Sequence, residues 1–230
     1  MKAAGFGIDS KVTILVDPSL PIMGYARKEG AIHYVVVADW ALDSEMLGGL
    51  ILHELSHIYY TDRSAPTHDH RIIEDALSGL KEREGLSNRE AEYLVDAFNH
   101  LQNIIVDDIV FKTMTEKERS LAQKFFAGWV SERPTGDPTA DGALLARNAF
   151  AIASLTRRGL FDEDSDMSAR NRAFLSQMGE DRELKFNSIK EFLEDAEPSW
   201  NEKEFRNALH RYLDDLLSLM RDDGKLEALK

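Results

Sequence analysis

Positions 46–60, MLGGLILHELSHIYY, limit the fold of this chain more than any other stretch. The residues on either side of His53-Glu54-Leu55-Ser56-His57 are nearly all apolar. A solvated helical face would carry neither flank, so the segment reads as a buried helix. Two imidazoles and a carboxylate are costly to bury without partners. Residues four apart on a helix lie one above the other, so His53 and His57 can reach a single ion. Glu54 is rotated to the side, where a carboxylate can take a proton from a water on that ion. The spacing therefore points to a metal site of the H-E-x-x-H type, with zinc (Zn2+) as the cofactor. The alternative is a pair of satisfied core histidines beside a structural ion pair.

Composition narrows the class. The 230 residues are 43% hydrophobic, enough for one substantial core or two small ones. There is no cysteine, which removes disulfides, thiolate ligands and thiol nucleophiles together and fits a reducing compartment. The formal net charge of -13 repels a phosphate backbone over most of the surface, so no nucleic-acid partner is expected. No window is apolar for long enough to cross a bilayer, and the first residues lack the apolar stretch of a signal peptide. The expectation is a cytoplasmic protein with no membrane partner.

The fold class expected is α+β, mostly α. Val12-Thr13-Ile14-Leu15-Val16, residues 22–27 and residues 31–37 read as strands, the last being the strongest in the chain. Asp43 or Ser44 can cap the motif helix, and residues 61–67 read as a loop. Beyond that the pattern is helical almost throughout. Ser87-Asn88-Arg89-Glu90 is a capping box opening a long helix to about Met114. Thr115–Glu118 and Ser199–Glu202 give two further boxes, and Asp137-Pro138 opens another helix with proline at its first position. The division expected is 1–112 as a catalytic core and 113–230 as a helical region packed on it. No ligand constellation is evident in the second part, so a protein partner for its helices is a natural expectation.

A hydrolytic zinc site takes three protein ligands and keeps one position open. On the long helix Asp96, His100, Asn103 and Asp107 are spaced four, three and four apart, a polar stripe between apolar ones. Asp107 is the third ligand expected, with Asn103 or His100 supporting it; the lesser alternative is that the stripe is a solvated face. Asp108, Glu74, His68 and His70 are the competing ligands, and His68 or His70 could instead donate to an oxyanion.

The order strand, turn, strand with AIHYVVVADWAL, then the apolar helix bearing HELSH, resembles the catalytic core of the zincin metallopeptidases. The stretch from Asn103 to Asp107 is similar to the N-x-x-x-D helix of some H-E-x-x-H peptidases, which makes the core gluzincin-like over about residues 12–112. The resemblance implies His53 and His57 as ligands, Glu54 as general base, Asp107 as the residue completing the site, and residues 32–37 as the strand that pairs with an extended substrate. It implies a zinc metallopeptidase, a hydrolase acting on a peptide or protein substrate. SprT-like proteases are the runner-up, but their association with DNA fits this charge poorly. A non-catalytic metal-binding scaffold protein and a zinc-dependent amidase acting on a small molecule are the alternative functions. Asp162–Asp166 is no calcium loop, because Met167 stands where the turn glycine is required.

Overall fold

Residues 32–38 carry a β-branched apolar core, and that run becomes the central strand of a small sheet. In the computed structural model, which describes residues 1–221, β1 (Lys11–Asp17), β2 (Gly24–Glu29) and β3 (Ile32–Ala38) form a three-stranded sheet in the order β1-β3-β2. β1 runs parallel to β3, from Lys11 opposite Ile32 to Asp17 opposite Ala38. β2 runs antiparallel to β3, with Ala26 opposite Val35. Gly30 takes a φ of 58° in the turn between them, where a β-carbon would be strained.

The helices follow in sequence: α1 (Leu47–Asp62), α2 (His70–Glu84), α3 (Asn88–Thr113), α4 (Glu116–Trp129), α5 (Pro138–Thr156), α6 (Asp166–Leu175), α7 (Glu180–Glu194) and α8 (Glu202–Arg221). The protein is thus α+β and mostly α, 65% helical with eight α-helices among the described residues. None of these helices is long and apolar enough to cross a membrane.

Two compact units result, and they interleave in sequence. Unit 1 comprises Met1–Asp69 and Ile105–Lys124; unit 2 comprises His70–Ile104 and the described residues from Phe125 to Arg221. The motif helix and the last third of α3 therefore belong to the same unit. In unit 1 the core is built on one face of the sheet. Val35, Val37, Ala38, Ala41 and Ile58 are buried together, with Val12, Ala26, Leu50 and Leu55 packed against them. This burial fixes α1 on β2 and β3 by the alternation of the central strand.

Unit 2 is organised on α5, which is buried on nearly every side from Asp141 to Leu155 and packs against α7 and α8. Its start is the expected one: Asp137 accepts a bond from the Ala140 amide at 2.8 Å, with Pro138 next. The capping box at Ser87 and Glu90 is also present, each side chain accepting from the other's amide. The last box differs from expectation. Asn201 and Glu204 form it, while Ser199 bonds to Glu197 and does not cap. Asn201 is an equally good cap, and the helix starts two residues later than the Ser199 pattern predicts.

Gly142 on α5 lies so close to α8 that a β-carbon there would stand 3.0 Å from the Met220 Cα. Gly79 in α2 has nothing within 4 Å of the same position. Gly142→Ala is expected to destabilise the protein by roughly 1–3 kcal/mol, whereas Gly79→Ala is expected to stabilise it by about 0.5–1 kcal/mol. Thermal or urea unfolding of the two variants reads both, and equal effects would contradict the close approach of α5 and α8.

Candidate metal and hydrolytic site

Helix α1 presents its three polar motif residues to different neighbours within unit 1. His53 and His57, one turn apart, bring their Nε2 atoms to 3.2 Å of each other. The outer nitrogen of each ring is also engaged. His53 Nδ1 stands 2.8 Å from Asp107 Oδ1 on α3. His57 Nδ1 stands 3.0 Å from His68 Nε2 in the turn after α1, and His68 Nδ1 is 2.9 Å from Thr67 Oγ1. Tyr60 stacks on the His68 ring with an interplanar angle of 20°, and Thr67 is buried, so the turn is fixed on both sides.

The protons in this chain follow from its ends. An ionised Asp107 only accepts, so His53 Nδ1 donates to it, and in the neutral ring His53 Nε2 then carries a lone pair. With all three rings neutral, two arrangements satisfy the rest. In one, Thr67 donates to His68, His68 to His57, and His57 Nε2–H to His53 Nε2. In the other, His57 Nδ1–H donates to His68 and His68 Nδ1–H to Thr67. The Nε2 lone pairs of both motif histidines then face one another at 3.2 Å, an arrangement that calls for a cation between them. The change from one to the other moves protons and no heavy atoms.

Glu54 is turned to the sheet. It is 6% exposed, and its carboxylate accepts the backbone N–H of Ala26 in β2. Burial pushes its carboxyl above the ordinary range. His53 and the Ala26 amide pull it back, and the Asp107 charge adds to the rise. The Ala26 contact locates the outer edge of β2, since that amide is turned away from β3.

Of the candidate ligands, Asp107 and His68 reach the motif histidines, while His100, Glu74, His70 and Asp96 belong to unit 2. Asp107 is buried and Asp108 less so. His100 belongs to unit 2, where it stacks on Phe150 with centroids 4.5 Å apart and lies against Trp129. Burial lowers its pKa to about 4, and its Nδ1 has no hydrogen-bond partner. Glu74, His70 and Asp96 are exposed residues of unit 2. Among the described residues no group of three or more histidine, aspartate or glutamate side chains is arranged to hold a metal ion. The site brings together two imidazoles, each with an orienting partner, and one buried carboxylate.

One expectation is corrected. Residues 32–37 cannot pair with an extended substrate, because β3 is the central strand and both of its edges are already hydrogen-bonded. Among the described residues the edges paired with no further strand are those of β1 and β2. Sequence reasoning also missed His33, which is buried in β3 and lies 2.7 Å from Asp62 at the end of α1. The signal was a polar residue inside the strongest strand. The parts played by Thr67, Tyr60 and the Ala26 amide had no signal of that kind.

The fixed ring orientations make a spectroscopic prediction. Long-range proton–nitrogen correlation spectra at a pH where the imidazoles are neutral should show His53 as the Nδ1–H tautomer. Asp107→Ala should release that preference, since the acceptor is gone. A His53 tautomer unchanged in the variant would contradict the 2.8 Å contact.

Comparison with known proteins adds a family. The model of a Family of unknown function (DUF5781) matches residues 5–214, and the chain belongs to that family. No curated protein and no solved structure matches the chain.

Proposed function

We propose that this family member is a zinc-dependent hydrolase of peptide bonds. The observation that carries the reading is the 3.2 Å approach of the His53 and His57 Nε2 atoms beside the buried Glu54. Two nitrogens on one tetrahedral zinc, each about 2.0–2.1 Å from it, stand about 3.3 Å apart. The pair matches two of the ion's ligand positions, and His53 and His57 are the residues that would hold it, with no third protein ligand grouped beside them among the described residues. When bound, zinc supplies a Lewis acid that polarises a carbonyl and makes water more acidic.

The chain's own residues supply the rest. Glu54 accepts the proton of the attacking water and passes it to the leaving amine as the carbon–nitrogen bond breaks. Asp107 holds His53 Nδ1 and is proposed as an orienting carboxylate, a role that differs from the ligand role expected from sequence. His68, anchored by Thr67, does the same for His57. The peptide class is supported by the outer edge of β2, which no strand covers among the described residues and where an extended chain can add beyond the Ala26 amide that Glu54 takes.

A second reading has one observation in its favour. The chain Thr67–His68–His57–His53–Asp107 can be hydrogen-bonded throughout with no ion present. On that reading it is a structural polar network in a non-catalytic interaction protein.

Metal content separates the two. Protein purified without chelator is expected to carry about one zinc per chain, and the absence of metal after titration with zinc would end the hydrolase reading. Glu54→Gln should keep the zinc and lose at least about 100-fold in the hydrolysis of unfolded peptide substrates; wild-type turnover in that variant would remove Glu54 from the mechanism.

The orienting role of Asp107 predicts a graded effect. Asp107→Asn should weaken zinc binding by roughly 10- to 100-fold, as for other partners of ligating imidazoles, with Asp108→Asn close to wild type. Equilibrium dialysis measures both, and equal affinity in Asp107→Asn and wild type would refute the role.

A further inference from the structure

Strand β1 breaks the usual rule for a sheet edge. It pairs with β3 on one side only, yet it carries Ile14, Leu15 and Val16 at 53%, 37% and 50% exposure. Exposed edges are normally blunted by an inward charge, a proline or a bulge within the strand. In β1 the charges are confined to the two ends, Lys11 and Asp17, with none between. Val12, Ile14 and Val16 share the face that β3 buries through Val35 and Val37, but only Val12 is packed into that core. The apolar row continues past the edge of the core that covers its neighbours.

We propose that β1 is a homodimer interface, pairing antiparallel with β1 of a second copy about a two-fold axis through Ile14. The occupant is identified by the strand's own charge pattern. In this register Lys11 of each copy faces Asp17 of the other, Val12 faces Val16, Thr13 faces Leu15, and Ile14 faces itself. One face of the joined strands is then wholly apolar and the other ends in two opposite-charge pairs. Parallel pairing in register would set Lys11 against Lys11 and Asp17 against Asp17. Shifting the antiparallel register by two leaves Lys11 opposite an apolar residue and one charge of each pair unmatched. Asp17 is held in place for this contact, since its Oδ1 accepts from the Ser19 amide and hydroxyl at 2.8 and 2.7 Å. An isologous contact of this kind closes on itself and forms no fibre. It joins two three-stranded sheets into one of six, and an interface of a single strand per copy is small, so the dimer is a weak, concentration-dependent one.

The full chain tests this without metal or substrate. Sedimentation velocity over a concentration series is expected to show a monomer–dimer equilibrium. Ile14→Lys places two like charges on the axis and should raise the dissociation constant at least about tenfold. Its melting temperature should not change by much, because the side chain is half exposed in the single chain. The absence of cysteine makes a second test clean. Directly opposed residues of antiparallel strands have Cα atoms about 4.5–5.5 Å apart, within disulfide range. Ile14→Cys should therefore form a disulfide-linked dimer on mild oxidation, at least about tenfold faster than Ile22→Cys, an equally exposed position outside the strand. A chain that is monomeric at every concentration overturns the proposal. So does a dimer that survives Ile14→Lys, or cross-linking at Ile14 no faster than at Ile22.

Discussion

The anchoring of three polar side chains on helix α1, Glu54 buried and His53 and His57 half-buried, is the constraint from which the rest of unit 1 follows. They sit among apolar residues that pack on the sheet, so Glu54 needs a partner that water no longer supplies, and each half-buried imidazole is turned by the partner it finds. Those partners come from three directions. Glu54 takes an amide from β2, His53 takes the Asp107 carboxylate from α3, and His57 takes His68 from the turn that follows its own helix. Hydrophobic burial brings α1 onto the sheet, but it is non-directional. The polar bonds select the rotation of the helix at which the two Nε2 atoms converge.

The same constraint divides α3. A helix of 26 residues is about 39 Å long, so groups on one stripe can lie in quite different surroundings. Asp107 meets a histidine in unit 1. His100, two turns earlier, is stacked among aromatic rings in unit 2, where burial keeps it neutral near pH 7. Shared periodicity places residues on a common face; it says nothing about which neighbours that face meets along its length.

The small sheet leaves two open edges with opposite characters. That of β2 lies beside Glu54, where an unpaired amide has already found a carboxylate. That of β1 is apolar between two end charges and self-complementary when reversed. A three-stranded sheet cannot satisfy its outer backbone groups with its own strands, so side chains such as Glu54, ligands, water or another chain must do so.

Much of this was determined by the sequence. The alternation and β-branching of residues 12–16 and 32–37 specify strands, and the caps at Ser87 and Asp137 specify helix starts, because these signals act over a few residues. The i, i+4 spacing of His53 and His57 likewise places both rings on one helical face. The tertiary structure alone decided strand order, which moved the open edge from β3 to β2. It also decided that Asp107 reaches the outer nitrogen of His53, and that His68 is tied to His57 while His70 is exposed. Those outcomes depend on contacts between residues 11 to 54 positions apart and on a backbone amide that no side-chain pattern records. Local propensity has no information about such distances, since they are fixed only when the apolar faces pack.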